Sequence, residues 1–291
     1  MTSARIRPEA QTGFAAAAAY DAGRPTYRAE AVDLLLGKLD LAGVQGAKIL
    51  DLAAGTGKFT EALSARPEEY EIVAVEPHDD MRQQLSDKKL HRVTVVDGSA
   101  EDLEHISDGT FAAVLVAQVR CLFANMNALK EIARVLRPAG VLGLIWNIDD
   151  YNAPKAWDIH AGWGSTMRDV VWSLEDDQPR FRHEQWRKVF DEQTSSNPLT
   201  LHFADPLFSL PIGEAAIDFE TWLSADDIWS RLRTLSQIAI LEGAELQQMK
   251  KKFDDALEKD SSSVDGKYPV YGRTVMYWTS HIPSAPLGSR E

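Results

Sequence analysis

Short apolar runs alternate with amphipathic segments over the first half of the chain. Each run has the length of a buried strand and is rich in Val, Ile, Leu or Ala, whereas the segments between the runs have helical spacing. Strands that alternate with helices predict a parallel sheet with helices on its faces, so we expect an α/β fold. The five runs are Lys48 to Ala53, Glu71 to Glu76, Val93 to Asp97, Phe111 to Gln118 and Val141 to Trp146.

The clearest helix of this half precedes the fifth run. Its apolar positions fall on one stripe at helical spacing, namely Leu129, Ile132, Ala133 and Leu136. An Asn at a helix start caps free N–H groups, and Pro and Gly end helices. We therefore expect Asn127 to cap this helix and Pro138 and Gly140 to end it.

The alternation stops after Trp146. Residues 147 to about 200 are rich in Trp and charged residues and contain no clear strand. Thr200 to Leu210 and Thr274 to His281 have the character of two late strands, and two helical stripes lie between them. The stripes are Ile228, Leu232, Leu235 and Ala239, and then Leu246, Met249, Phe253 and Leu257. We expect these helices to form an accessory region beside the sheet.

The composition is that of one large domain with an accessory region. The chain has 291 residues, of which 44% are hydrophobic, enough to bury one large core. A net charge of −13 argues against a nucleic-acid backbone as substrate. No apolar stretch reaches membrane-spanning length, and the N-terminus lacks the charged-then-apolar pattern of a signal peptide. We therefore expect neither a membrane nor a nucleic-acid partner.

Cysteine and histidine positions bear on the compartment and on metals. Cys121 is the single cysteine, so the chain forms no intramolecular disulfide and no thiol cluster, which is typical of the reducing cytoplasm. The seven histidines show no spacing typical of metal ligands. We expect a cytoplasmic protein without a bound metal.

The stretch Asp51 to Gly57, directly after the first predicted strand, is typical of a loop that approaches a nucleoside ligand. A dinucleotide loop needs Gly at positions 53 and 58, where this chain has Ala53 and Lys58. A phosphate-binding P-loop fits no better, because its first Gly and its Ser or Thr fall at Leu52 and Phe59. Both phosphate-binding interpretations are therefore weakened.

Two acidic residues are associated with the small residues of this loop. Asp51 lies at the end of the first predicted strand, and Glu76, which is 19 residues after Gly57, ends the second. Such a pair suits a ligand that has an ammonium group and a ribose diol but no phosphate. We expect Asp51 near the amino-acid end of that ligand and Glu76 on both ribose hydroxyls.

Five motifs occur in the order and spacing of a known enzyme family over roughly residues 14 to 147. They are Asp51 to Gly57, Glu76-Pro77, Gly98 to Glu101, Val114 to Gln118 and Leu136 to Gly140, and Tyr20 to Tyr27 resembles the segment that precedes them. On these residues the chain resembles the class I S-adenosylmethionine-dependent methyltransferases of the small-molecule type, in the type 11/25 branch. Ala53 stands where the first motif of the family has its first Gly.

The resemblance implies a doubly wound, mostly parallel, seven-stranded Rossmann-like sheet with a helical cap insertion, and S-adenosyl-L-methionine as cofactor. It implies an N-terminal helical lid (1–45), a cofactor-binding core (46–147), a substrate-side insertion (148–199) and a region that completes the sheet and carries cap helices and the tail (200–291). The implied cofactor-binding residues are Tyr20, Arg24, Asp51, Ala53, Gly55, Gly57, Glu76, Pro77, Met81, Ser99, Ala100, Glu101, Ala117 and Gln118.

The implied reaction is displacement at the sulfonium methyl group by an oxygen, nitrogen, sulfur or carbon atom of a small acceptor. Because the sulfonium already activates the methyl group, a general base is optional. The candidate catalytic residues are Gln118, Arg120 and Tyr20. This branch commonly has a histidine after the fourth strand, where this chain has Cys121. We therefore expect proximity catalysis, with Arg120 either orienting an anionic acceptor or pairing with a surface acid.

Aromatic residues are concentrated after the fifth strand. Trp146, Tyr151, Trp157, Trp163 and Trp172 fall within 27 residues. Core packing accounts for any single ring, but together they favour a flat or largely apolar acceptor such as a secondary metabolite. We expect Trp146, Tyr151, Trp157 and Trp163 to bind the acceptor, with some of them at the mouth of the cleft.

Two other functions remain open. The altered stretch after Gln118 is compatible with a cyclase that uses the charge of the cofactor and an apolar pocket without methyl transfer. A non-catalytic cofactor sensor would need a large apolar surface patch, of which the acidic, mixed-charge sequence gives no sign. The sequence leaves the acceptor atom and the oligomeric state undetermined.

Overall fold

The computed structural model describes residues 24–118, 125–174, 179–194 and 206–283. The helices in these ranges are α1 (Ala29–Lys38), α2 (Lys58–Ser64), α3 (Asp79–Asp87), α4 (Met126–Val135), α5 (Trp163–Ser173), α6 (Lys188–Glu192), α7 (Ala225–Leu232), α8 (Ser236–Ala239) and α9 (Gly243–Glu258). The strands are β1 (Lys48–Leu52), β2 (Glu71–Val75), β3 (Val93–Val96), β4 (Phe111–Ala117), β5 (Leu136–Asp149), β6 (Gly213–Ser224) and β7 (Lys267–Ser280).

The strands form a seven-stranded sheet in the order β3-β2-β1-β4-β5-β7-β6. β1 to β5 are parallel, and β7 runs antiparallel to both β5 and β6. The doubly wound, mostly parallel seven-stranded fold is therefore confirmed. The chain moves outward from β1 to β3 and then crosses to β4, so the strand order changes direction between β1 and β4. In open sheets of this kind, ligands bind at the carboxyl ends of the strands beside such a point.

Apolar side chains cover both faces of the sheet. On one face, α1 and α2 bury Leu35, Leu36 and Phe59 in the same cluster as residues of β1 and β4. On the other face, α4 buries Leu129 and Ile132, as the predicted stripe requires. The sheet is thus held between two layers, and its carboxyl edge is left for a site.

The predicted start of α4 is two residues late. Asn125 caps the helix, because its side-chain oxygen accepts hydrogen bonds from the backbone N–H groups of Asn127 and Ala128, at 3.0 Å each. Asn127 instead lies in the first turn. The helix ends at Val135, three residues before Pro138, because β5 begins directly after it.

The sixth strand lies elsewhere than predicted. It is Gly213–Ser224, whereas residues 206–210, the described part of the predicted range, contribute a bridge between Phe208 and His281. The seventh strand begins at Lys267, seven residues earlier than predicted. β6 alternates exposed with half-buried side chains, because only one of its faces meets the protein interior. Its mixture of small and acidic residues conceals this two-residue period.

A helical cap stands beyond the carboxyl end of β5. β7 pairs with β5 only as far as Gly272, whereas it pairs with β6 down to Lys267, so the β6–β7 ribbon projects past the sheet. The cap core packs on this ribbon through Val270. Three residues of each predicted helical stripe lie in this core, namely Ile228, Leu232, Leu235, Met249, Phe253 and Leu257, whereas Ala239 and Leu246 are only half-buried. Within the described ranges, no helix combines the length and apolarity needed to cross a lipid bilayer.

A buried ion pair fixes the cap to the end of β5. Arg231 on α7 donates to both carboxylate oxygens of Asp149, from Nε at 2.9 Å and from an Nη. The Tyr151 hydroxyl donates to the same carboxylate at 2.5 Å. All three residues are at most 8% exposed. Burial, together with the Asp149 charge, raises the pKa of Tyr151 well above its ordinary value, so the phenol stays a neutral donor.

Arg231→Met should lower the free energy of unfolding by about 3–5 kcal/mol, because it leaves the buried Asp149 carboxylate without its cation. Combining Arg231→Met with Asp149→Asn removes both charges and keeps an oxygen for Tyr151, so most of the loss should be recovered. Urea unfolding followed by tryptophan fluorescence measures both. The control, Lys250→Met at the exposed pair with Asp254, should cost at most about 1 kcal/mol. An equally small loss for Arg231→Met would show that the pair does not hold the cap.

Candidate functional site

The loop after β1 contains two glycines whose backbone is left-handed. Gly55 has φ of +60° and Gly57 has φ of +87°. A Cβ on Gly57 would lie 2.2 Å from Leu85 Cδ1, so the turn into α2 requires glycine. A Cβ on Gly55 would meet no described atom within 4 Å, so the backbone there borders open space. Ala53, with φ of +58°, starts the loop in the same left-handed region.

Glu76 follows β2 and lies directly beside this loop. Its Oε2 accepts a hydrogen bond from the Gly55 N–H at 2.8 Å, and its Oε1 accepts one from the His78 N–H at 2.8 Å. The residue is only 5% exposed. Burial raises the pKa of Glu76, although the two N–H donors act in the opposite direction. A carboxylate oxygen accepts more than one hydrogen bond, so each oxygen keeps a position for a ligand hydroxyl.

Asp51 is fully buried at the carboxyl end of β1. Thr60 Oγ1 on α2 donates to Asp51 Oδ2 at 2.6 Å, whereas Oδ1 has no partner among the described residues. Burial raises the pKa of Asp51 from 3.8 to about 7; the Thr60 hydroxyl opposes this rise, and the charge of Glu76 adds to it. A buried acceptor without a partner is costly, so Oδ1 suits a ligand donor.

The two carboxylates determine what the loop accepts. Asp51 and Glu76 are close enough for the charge of Glu76 to raise the pKa of Asp51. A phosphate beside them would be repelled, whereas an ammonium group or a diol would find acceptors. The geometry thus agrees with the absence of phosphate-binding motifs in the sequence.

Pro77 and Met81 follow Glu76 into α3. Met81 is 5% exposed and Pro77 is half-buried. Arg82 Nη1 donates to the Glu76 carbonyl oxygen at 2.8 Å and so ties α3 to the end of β2. These contacts keep both residues near the Glu76 carboxylate, and their role toward a cofactor stays a prediction.

The loop after β3 is closed by its own backbone. Ser99 and Asp102 exchange two N–H···O bonds, of 3.3 and 3.1 Å. Ser99 Oγ is buried and has no partner among the described residues, whereas Ala100 packs against the core. Glu101 is exposed, and its carboxylate accepts a hydrogen bond from Asn125 Nδ2 at 2.7 Å. Ser99 is therefore better placed than Glu101 to meet a buried ligand.

Gln118 follows Ala117 at the end of β4, with a left-handed φ of +54°. Its side-chain Nε2 donates to the Asn147 carbonyl, and its Oε1 accepts from the Asn147 N–H, at 3.0 Å each. The amide therefore takes the place of the next peptide unit in the β4–β5 ladder. Both polar atoms of the amide thus bond to Asn147, and the catalytic role of Gln118 stays a prediction.

Two of the three catalytic candidates, Tyr20 and Arg120, lie outside the described residues, as does Cys121. Arg24 is described, and its Nη2 donates to the Thr234 carbonyl just after α7, at 3.1 Å. The Arg24 side chain thus reaches the cap, and its predicted contact with a cofactor stays a prediction.

Three of the four predicted acceptor-binding rings are almost fully buried. Trp146 is 3% exposed and its ring lies 5.2 Å from that of Trp186, because its strand position faces the core. Tyr151 and Trp163 are at most 4% exposed and lie in the cap core with 5.7 Å between their ring centroids and 35° between their planes. The acceptor-binding role of these three rings stays a prediction.

Trp157 lies in the wall of a large cavity, whereas Tyr151 and Trp163 line a smaller one of about 80 Å³. The large cavity has a volume of about 490 Å³ and includes Arg187, Arg273 and Tyr277 in its wall. The Arg273 guanidinium carbon lies 5.2 Å above the Trp157 ring. This cavity combines aromatic and cationic groups, so it suits a flat ligand.

Sequence reasoning missed Thr60 and Asn147, which hold Asp51 and Gln118 in place. A signal exists for Asn147, because it is the first polar residue after the apolar run Val141 to Trp146, at the carboxyl edge of the sheet. Thr60 has no such signal, because its contact depends on how α2 packs on β1.

The free energy of unfolding of the ligand-free protein should fall as pH rises from 5 to 8, when it is compared with that of the Asp51→Asn variant. The folded-state pKa of Asp51 is about 7 against 3.8 for an exposed Asp, so its stabilising contribution is complete below the lower value and is lost as pH rises through the upper one. The difference should reach about 2–3 kcal/mol, measured by urea unfolding at each pH.

Thr60→Val should enlarge the same effect. It removes the hydroxyl that lowers the pKa of Asp51, so the folded-state pKa should rise further, and the loss of stability should continue to higher pH values and become larger. A wild-type curve parallel to that of Asp51→Asn would show that Asp51 has an ordinary pKa.

Residues 49–140 match a family model described as a methyltransferase domain. An uncharacterized methyltransferase of Mycobacterium tuberculosis is 41% identical over 135 residues, which cover 46% of this chain and 51% of that protein. An uncharacterized methyltransferase-like protein of Schizosaccharomyces pombe is 35% identical over 174 residues, which cover 59% of this chain and 62% of that protein. The match thus spans about half the length of the mycobacterial relative and less than two thirds of the fission-yeast one.

Among solved structures, the YcgJ protein of Bacillus subtilis is similar with a TM-score of 0.51 and 15% identity, over 86% of this chain and 98% of that chain. At this identity the likeness shows a shared fold alone. The family match rests on the segment that contains the Gly55 loop, Glu76 and the edge of β4. Residues 49–140 are therefore similar to a methyltransferase domain.

Proposed function

We propose that the protein transfers the methyl group of S-adenosyl-L-methionine to a small-molecule acceptor. The observation that carries this proposal is the loop at Gly55, which borders open space beside the carboxylates of Glu76 and Asp51. The similarity to a methyltransferase domain supports the same activity.

The residues around the loop fit this cofactor. Asp51 Oδ1, buried and without a described partner, suits the ammonium group of the amino-acid end. Glu76 keeps one acceptor position on each oxygen, which suits the two ribose hydroxyls. Gly55 leaves room for the ligand at its backbone. Met81 and Ser99 are the proposed adenine-side contacts, and Arg24 is the proposed contact at the amino-acid end.

Alignment of the two reactants is the main contribution that we propose for the protein. When bound, the cofactor supplies a sulfonium-activated methyl group that needs only a well-placed nucleophile. Holding both reactants at attack distance contributes roughly 7–11 kcal/mol. The cap beside the carboxyl edge, anchored by Asp149 and Arg231, keeps water out of the reaction volume. Gln118 holds the ends of β4 and β5 together through Asn147.

The proposed acceptor is a small, flat or largely apolar metabolite, for which Trp157 offers a ring at a cavity. Methyl transfer is favoured over a cyclase because the mycobacterial and fission-yeast relatives carry methyltransferase names. The mass of the product separates the two reactions, because only transfer adds a methyl group.

Glu76→Gln should weaken binding of S-adenosyl-L-methionine and of its demethylated product, S-adenosylhomocysteine, by about 10- to 100-fold. It removes the charge that strengthens both hydroxyl contacts and places an NH₂ group against a backbone N–H. Isothermal titration calorimetry measures both ligands. The matched control is Glu71→Gln at the other end of β2, where the exposed carboxylate pairs with Arg92, and its affinity should match wild type. No binding by wild type would overturn the proposed cofactor.

Binding of S-adenosylhomocysteine should tighten about tenfold between pH 6 and pH 8. Asp51 must be ionised to accept from the ammonium group, and its pKa of about 7 leaves most of it protonated at pH 6. The dependence should be absent in Asp51→Asn. An affinity that is flat with pH in wild type would show that Asp51 does not bind the ammonium group.

A further inference from the structure

A short segment joins the cofactor loop to the cap; residues 24–28 are called the strap below. The Tyr27 ring meets the Phe59 ring edge-on, with 4.9 Å between centroids. Phe59 is the second residue of α2, the helix that begins after Gly57. At the other end of the strap, Arg24 Nη2 donates to the Thr234 carbonyl at 3.1 Å. The strap therefore contacts both the helix of the cofactor loop and the cap.

The middle of the strap is held by Asn147. Asn147 Nδ2 donates to the Thr26 carbonyl at 3.3 Å, and its Oδ1 accepts from Thr274 Oγ1 on β7 at 2.6 Å. Its backbone N–H and carbonyl both bond to the Gln118 amide, at 3.0 Å each. The residue is 7% exposed. All four polar groups of Asn147 are thus used, and the end of β4, β5, β7 and the strap meet at this one residue.

A second contact fixes the far end of the strap. Arg28 Nη2 donates to the Glu220 carbonyl on β6 at 2.5 Å, and its guanidinium carbon lies 5.6 Å from the centre of the Phe219 ring. Glu220 belongs to the part of β6 that projects past β5 toward the cap. The strap thus crosses from β6 to the end of α7, with Asn147 beneath its centre.

We propose that Asn147 is a positioning residue which, by holding the strap, couples occupation of the cofactor loop to the order of the cap. The inference rests on the proposed function. A ligand beside Gly55 restrains the start of α2, the Tyr27–Phe59 contact restrains the strap, and the Arg24 bond restrains the end of α7. Such coupling is reciprocal, so an acceptor that orders the cap also tightens cofactor binding.

Hydrogen exchange read by mass spectrometry tests the coupling in the full chain. S-adenosylhomocysteine at saturation, confirmed by calorimetry, should slow exchange in residues 225–239 of wild type as well as around the loop. Asn147→Asp replaces the donor to Thr26 by an oxygen and keeps the acceptor for Thr274. The ligand-induced slowing in residues 225–239 should fall by about two- to tenfold, the size of one hydrogen bond, while S-adenosylhomocysteine still binds.

Two further variants keep the test decisive. Tyr27→Leu breaks the contact with Phe59 at a different point and should uncouple the cap in the same way, even if Asn147→Asp folds poorly. Thr274→Val is the matched control, because it removes the other side-chain bond of Asn147 and leaves the bond to Thr26. Thr274→Val should lower the free energy of unfolding but preserve the ligand-induced slowing of exchange in residues 225–239.

The outcomes separate the inference from the proposed function. Equal slowing in wild type and Asn147→Asp, or an equal loss in Thr274→Val, overturns the role of Asn147. Binding by wild type without any slowing in residues 225–239 overturns the coupling and leaves the proposed function intact. Absence of binding by wild type overturns the proposed function, and the inference fails with it.

Discussion

The antiparallel pairing of β5 with β7 over nine positions is the constraint on which both halves of the molecule depend. β4 supports β5 only as far as Ile145, and β5 runs four residues further, to Asp149, on the support of β7. Without that partner, the extra residues would leave backbone N–H and C=O groups unpaired. Asn147 and Asp149 both lie on this extension, so the site and the cap are positioned by one piece of backbone.

Three buried carboxylates are satisfied in three different ways. Asp149 has a full ion pair with Arg231, which suits a permanent structural contact. Glu76 accepts two backbone N–H groups and is left with spare acceptor capacity. Asp51 has one hydroxyl and an oxygen without a described partner. A buried carboxylate with fewer hydrogen-bond partners in the protein depends more on a ligand. Asp51 and Glu76 have fewer partners than Asp149, and this difference points to the Gly55 loop as the ligand site.

The parallel half of the fold was predictable because its signals are local. β1 to β4 lie within one residue of the predicted runs, since buried parallel strands read as continuous apolar segments. β6 was not predicted, because an edge strand with one solvated face carries Ala, Glu and Asp in place of such a run. The Gly55 loop and the two acids were found from spacing. The hydrogen bonds of Thr60, Gln118 and Asn147 were not, because they join residues that only the packed fold brings together. Burial of Trp146 likewise follows from the face of the strand that it occupies.

β6 ends the sheet, and its outer edge has consequences at high protein concentration. Among the described residues no further strand pairs with β6, so its twelve residues form a template on which a second chain could add, the route by which sheet proteins aggregate. Glu214, Asp218 and Glu220 lie on one face of β6 and are exposed. Glu214 forms an ion pair with Arg187, and Asp218 forms one with Arg273. Charged side chains along an edge strand oppose pairing with another chain, so this face of β6 favours separate molecules over growth into fibres.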